Sequence, residues 1–340
     1  EITGWSGTSV TVTLTYTTAA TYSNRANVTS TSATYTDSAW SSTDSIVISS
    51  SWAFQGSNYG FTSGKQSSDS INRFSLVSNT TATDWGNLTV TRSYAAGQSS
   101  TTDGYTEGGH WSESSIDKFS FTSASGASSH GDLNTTRSSG SGQSTSTHGY
   151  ASGGQIASGA RTDAIDKFAF ASNTTAADHG NLQSAKRSGA GCSATDYGYN
   201  AGASYSPGSF DIIDKFAFSS NITASDHGDL AIAIGLTAGQ SSTTDGFSCG
   251  GYNHSAIINT MNKFSFSSNV TASDHGDLSV ARAILSGQSG VDYGFTSGGY
   301  NSSWGNSNVI DRFAYSSNVT ATDWGDLAET MQESSAGHQY

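Results

Sequence analysis

The stretch Ile165-Asp166-Lys167-Phe168-Ala169-Phe170-Ala171-Ser172-Asn173 returns in related form from Ile71, Ile116, Ile213, Met261 and Ile310. Its central phenylalanine recurs as Phe74, Phe119, Phe168, Phe216, Phe264 and Phe313, at steps of 45, 49, 48, 48 and 49 residues. A fixed period of that size marks a repeat architecture and limits the possible folds more than any other feature. Within one unit, read from Arg92 to Leu133, four short segments alternate with turns rich in Gly, Ser and Asn. Ile-Asp-Lys-Phe-Ala-Phe is apolar at its first, fourth and sixth positions, and segments of four to eight residues fit strands. Apolar residues do not recur at helical spacing, and Gly is too frequent for helices. Four strands in about 48 residues predict an all-β chain of β-propeller blades, each covered by its neighbours because one blade alone cannot bury both faces.

Residues 1–45 lie outside the repeat and residues 46–340 carry it. Ser9-Val10-Thr11-Val12-Thr13-Leu14-Thr15-Tyr16 alternates like a strand, and a second strand fits between Asn27 and Tyr35. The N-terminal segment is therefore either an attachment element or a donor of strands to the ring. Six units are complete, and after Leu327 a seventh begins, with Met331 in the place of Arg282 and Gly337-His338-Gln339 entering the next turn. The count favours seven blades, the last closed by both termini, with six as the alternative.

The repeat resembles the kelch unit. Arg282 opens a copy, Tyr293-Gly294-Phe295-Thr296-Ser297-Gly298-Gly299 gives the di-glycine strand, Ile310-Asp311-Arg312-Phe313 the third strand, and Asp323-Trp324-Gly325-Asp326-Leu327 the Trp slot. Di-glycine recurs at Gly108-Gly109, Gly153-Gly154 and Gly250-Gly251, but Ala201-Gly202-Ala203 and Gly64-Lys65 depart from it. The Trp slot holds Trp85 and Trp324 in two copies and His130, His179, His227 and His275 in four. The Ser/Thr-rich dialect with its Gly-Gln-Ser-Ser turn is similar to kelch-like repeat proteins of bacteriophage and marine viral tails or appendages. That resemblance implies a structural or adhesion protein at a virion surface or otherwise extracellular. Its partners would be other virion proteins or a host-surface glycan or receptor, and it could form a homo-oligomer. A secreted lectin-like adhesin is the first rival, and an enzyme using one propeller face the second.

Charge narrows the partners further. The net charge is −13 and charged residues make up only 12% of the chain, so no basic face is available for nucleic acid. No run of 18 apolar residues predicts a membrane span. No signal peptide is visible, and a start at Glu1 instead of Met fits a processed or partial chain. Cys192 and Cys249 occupy non-equivalent slots, and both are expected to be free buried thiols.

Nothing calls for a metal or cofactor. The four His share one repeat position and would sit far apart on a ring, whereas zinc needs its nitrogen ligands at about 2 Å. They are expected to replace a packing Trp and bond a neighbouring turn. Asp226-His227-Gly228-Asp229 and its relatives read as turns in preference to calcium loops. Asn79, Asn173, Asn221, Asn269 and Asn318 head Asn-x-Ser/Thr triplets in one slot, where a left-handed Asn turn is expected and glycosylation is the alternative. The pairs Asp117-Lys118, Asp166-Lys167, Asp214-Lys215 and Asp311-Arg312 are expected to make exposed bridges, for instance to the Arg opening a neighbouring unit. No nucleophile elbow or phosphate loop is present, and no catalytic residues are assigned.

The irregular parts are the loops between second and third strands, at 110–115, 155–164, 204–212, 252–260 and 300–309. They carry His110 and the binding candidates Trp111, Tyr205, Phe210, Tyr252, His254, Tyr300 and Trp304. Aromatics on loops of a rigid scaffold suit a sugar or protein partner, and packing between blades is the alternative.

Overall fold

A computed structural model describes residues 9–14, 44–49, 55–65, 68–110, 113–204, 209–331 and 336–340. The chain divides into two units, Glu1–Ala53 and Phe54–Tyr340. In the first, Ser9–Leu14 pairs antiparallel with Asp44–Ser49, Ser9 opposite Ser49. The strand expected between Asn27 and Tyr35 lies outside the described residues.

The second unit is a β-propeller of six four-stranded antiparallel blades. No helix occurs among the described residues, so none is long and apolar enough to cross a membrane. Blade 2 is typical. Its strands are Ala96–Ser99 (inner), Asp103–Glu107 (second), Ser115–Ser120 (third) and Ser128–Asp132 (outer). Blades 3, 4, 5 and 6 repeat that order from inner strands Ser141–Ser144, Ala190–Ser193, Ala238–Ser241 and Ser286–Ser289. Blade 1 is split. Tyr59–Lys65, Ser68–Ser75 and Thr83–Asn87 are its second to outer strands, and the C-terminal Ala336–Gln339 is its inner strand, with Ala336 opposite Ser63.

The expected seventh blade is therefore absent from the ring, and its apparent beginning completes blade 1. The Phe repeat counts third strands, of which there are six. The chain enters the ring one strand late and leaves it one strand over, so a single C-terminal strand closes it. Each inner strand touches the inner strands of both neighbours, and that of blade 1 touches those of blades 2 and 6.

The core lies between blades. In blades 2, 4 and 5 the second-strand aromatic stacks on the aromatic that follows the next blade's third strand: Tyr105 on Phe170 at 4.4 Å, Tyr199 on Phe266 at 4.8 Å, Phe247 on Tyr315 at 4.9 Å. Full burial of one such ring stabilises by about 1.5–3 kcal/mol. The repeated Phe explains the glycine after each Asp, His or Tyr of the second strand. The tip of the phenyl ring lies over that glycine, and a Cβ on Gly246 would come within 2.3 Å of Cζ of Phe264.

Antiparallel order fixes the two ends of the ring. Inner-to-second and third-to-outer connections share one face, here the turn face. Second-to-third loops and the crossovers between blades share the other, the loop face.

Candidate functional site

At the axis each inner strand shows the same burial pattern, with only its glycine partly exposed. Gly97, Gly142, Gly191, Gly239, Gly287 and Gly337 pack backbone on backbone. A Cβ on Gly142 would lie 2.2 Å from the Gly97 carbonyl oxygen, and one on Gly337 2.1 Å from that of Gly287. The axis-facing position thus bears no side chain. The next residue points into the blade and donates across to the following one: Gln98 Nε2 to the Tyr150 carbonyl (3.1 Å), Gln143 to Tyr199 (3.0 Å), Gln240 to Phe295 (3.0 Å), Gln288 to Phe61 (3.1 Å). Cys192 takes this slot in blade 4, its Sγ 3.4 Å from the Phe247 carbonyl, and both cysteines are free and buried. His338 takes it in blade 1.

His338 is the centre of a buried polar cluster. Its Nδ1 lies 3.0 Å from the Gln98 carbonyl, which can only accept, so Nδ1 carries the proton and Nε2 accepts from Ser63 Oγ at 2.9 Å. Burial holds the imidazole neutral, its pKa pulled down to about 4. On the other side of Gln98 the Glu107 carboxyl accepts from Nε2 at 3.2 Å, and burial pushes its pKa up to about 7.

The recurrent charge pairs are structural, but not as expected. Asp117 meets Arg92 at 3.1 Å, Asp166 meets Arg137 at 2.7 Å, Asp214 meets Lys186 at 2.6 Å and Asp311 meets Arg282 at 2.8 Å. These cations open the Asp's own unit, not a neighbouring one. The pairs are fully buried, because the preceding blade covers the strand face that alternation alone would give to solvent: Phe119, on the same face as Asp117, packs against Phe61 and Ile71 of blade 1. In blades 1 and 5 the cation is replaced by Met331 and Ile234, and there the Asp becomes Asn72 and Asn262. Each Asn still does the other thing the Asp does, since its Oδ1 accepts the crossover amide of Ala328 or Ala231, as Asp311 accepts that of Ser279.

The histidines and tryptophans of the Trp slot act alike. Each Trp Nε1 donates to the next blade's third strand, Trp85 to the Ser120 carbonyl and Trp324 to that of Ser75, both at 2.8 Å. His130, His179, His227 and His275 donate through Nε2 to Ala169, Ala217, Ser265 and Ala314 at 2.8–3.0 Å. Among the described residues no three His, Cys, Asp or Glu are grouped to hold a metal ion. Asn173, Asn221, Asn269 and Asn318 do not take the expected left-handed backbone. Their side-chain amides instead donate to the preceding blade's outer strand, Asn221 to the Asp178 carbonyl at 3.1 Å.

Left-handed backbone is found on the loop face, at the crossovers. Tyr94, Ser139, Ser188, Leu236 and Ile284 have φ of 56–59°. They form a belt in which each amide donates to the previous carbonyl, Ser139 to Tyr94, Ser188 to Ser139, Leu236 to Ser188 and Ile284 to Leu236, at 2.7–2.8 Å. For a β-branched residue such as Ile284 this conformation costs about 1–3 kcal/mol and persists only because the surroundings impose it. Tyr94, Leu236 and Ile284 of the belt join one apolar cluster with Ile257, Tyr252 and Tyr300.

Above that cluster the structure brings together three of the loop aromatics that the sequence points to. Trp304 lies 5.8 Å from Tyr252 and 5.9 Å from Tyr300, ring to ring, and is 52% exposed. Its backbone φ is 58°, and Asn301 organises the loop beneath it, accepting from the amides of Ser303 and Gly305 through Oδ1. His254, at φ 73°, stands 6.4 Å from Tyr252, whose hydroxyl donates to the His254 carbonyl. Tyr252 ends the second strand of blade 5, and Tyr300 pairs with Ala283 at the start of blade 6. Phe210 sits apart, in the third strand of blade 4 opposite Ala203. Trp111 and Tyr205 lie outside the described residues. Tyr94, its ring tilted 5.7 Å from His110, and the apolar belt residues carry no mark in the sequence, because the belt position recurs at the blade period but its residue type changes from Tyr to Ser, Leu and Ile.

No protein-family model matches this chain, and no curated protein matches it.

Proposed function

We propose that this propeller is a non-enzymatic recognition module, a structural or adhesion component that binds a protein partner or a glycan through the loop face. The observation that carries the reading is Trp304: a large ring half-exposed, on a strained backbone, over Tyr252 and Tyr300. Rigid aromatic surface of this kind gives contact area at little entropic cost and dominates binding energy where it occurs. The axis supports a non-enzymatic role, since its inward-facing position is glycine in every blade and offers no side chain for chemistry. The kelch resemblance and the Ser/Thr-rich repeat style support a place on a viral, particularly phage, appendage or another extracellular surface.

The test is binding of the purified chain to a glycan array and to candidate host-surface proteins, repeated with Trp304→Ala. Loss of an aromatic anchor costs about 2 kcal/mol, or roughly thirtyfold in affinity. Binding by the wild type that Trp304→Ala leaves unchanged would overturn this assignment of the face.

A further inference from the structure

A different site lies on the turn face, where one blade breaks a rule that the other five keep. The first residue of the second strand stands beside the cation of the third strand. In blades 2 and 5 it is an Asp that pairs with that cation, Asp103 with Lys118 and Asp245 with Lys263, both at 3.3 Å. In blades 1, 4 and 6 it is a Tyr on which the cation stacks: Arg73 over Tyr59 at 4.4 Å, Lys215 over Tyr197 at 4.1 Å, Arg312 over Tyr293 at 4.4 Å. In blade 3 alone it is His148, which offers neither a carboxylate nor an electron-rich phenol ring. Burial and the nearby Lys167 ammonium lower the pKa of His148. Lys167 has no carboxylate partner among the described residues, and the ring it faces is that of Tyr150 at 5.6 Å.

The same spot opens into a cleft of about 460 Å³ between blades 3 and 4. That volume falls within the range of small-molecule sites. Its walls include Lys167, His148, Thr147, Tyr197 and Asp196, with the Thr147 hydroxyl bonded to His148 Nδ1 at 2.8 Å. We infer that this cleft binds an acidic saccharide, whose carboxylate pairs with Lys167 as Asp103 and Asp245 pair with the cations of their own blades. The Asp196 carboxylate then accepts from sugar hydroxyls, and Tyr197 supplies an apolar wall. Asp196 in the lining disfavours a dianion, so a single carboxylate fits better than phosphate or sulfate. The site is independent of Trp304, which is on the opposite face.

The experiment is calorimetric titration of the full chain with a glucuronate-containing disaccharide, the matching neutral glucose disaccharide, and inorganic sulfate and phosphate. The discriminating variant is His148→Asp, which builds into blade 3 the pair already present in blades 2 and 5 and so should fold at least as well as the wild type. Expected is binding of the uronate, at least tenfold weaker for the neutral sugar and at least tenfold weaker in both His148→Asp and Lys167→Gln, with Trp304→Ala unaffected. Absence of uronate binding at millimolar concentration, equal binding of the two sugars, tighter binding of sulfate or phosphate, or uronate binding unchanged in a folded His148→Asp would each overturn the inference.

Discussion

Replacing Arg282 by Met isolates the energetics of the buried pairs. Both Arg282 and Asp311 are fully buried, 2.8 Å apart. Removing the cation leaves a carboxylate in the core with only the Ser279 amide and hydroxyl to stabilise it. Breaking such a pair from one side costs about 3–5 kcal/mol. At about 2–4 °C per kcal/mol for a domain of this size, melting should fall by roughly 6–20 °C. The double variant Arg282→Met with Asp311→Asn reproduces what blade 1 already has in Met331 and Asn72. It should keep the Ser279 contact and lose the stranded charge. The remaining cost, about 1–2 kcal/mol, is that of the Gly298 and Val309 carbonyls that Arg282 caps. Thermal and urea unfolding of the two single variants and the double should thus give a favourable coupling of about 2 kcal/mol or more. Effects that add to within about 0.5 kcal/mol would refute the view that Asp and cation are exchanged as a unit.

Three further outcomes can be checked on the same protein. Gly239→Ala puts a methyl 2.2 Å from the Gly191 carbonyl oxygen and should destabilise by about 1–3 kcal/mol or more, read as a lower urea midpoint. Glu107, with a pKa raised from 4.5 to about 7, holds a proton that the unfolded chain has lost, so its contribution to stability falls as pH rises through that window. His338, lowered from 6.5 to about 4, refuses a proton that the unfolded chain accepts, so its contribution falls as pH drops through its own window. The two oppose each other where the windows overlap, and Glu107→Gln should expose the His338 slope as a loss of about 3 kcal/mol between pH 6.5 and 4, measured by urea unfolding at several pH values.

The period made the blades legible, because every third strand repeats the same Phe against the same glycine. Blade number was not legible from that Phe. It can be read from the inner strands instead: Gly97-Gln98, Gly142-Gln143, Gly191-Cys192, Gly239-Gln240, Gly287-Gln288 and Gly337-His338 are six, and the last is the closing strand. The burial of Asp117, Asp166, Asp214 and Asp311 was hidden because strand alternation describes one sheet, whereas in a ring the two neighbouring blades cover one face each. Tyr252, Tyr300 and Trp304 were visible as loop aromatics, but their meeting depends on blades 5 and 6 being adjacent. His148 carries no signal in isolation. It stands out only when the six slots Tyr59, Asp103, His148, Tyr197, Asp245 and Tyr293 are set side by side.

If recognition resides where the repeat is broken, one array of glycans and host-surface proteins probed with wild type, Trp304→Ala and His148→Asp tests it most directly. The wild type should bind, Trp304→Ala should lose the ligands of the loop face, and His148→Asp should lose the acidic saccharides alone. Three identical binding profiles, or no binding by any of the three, would contradict it.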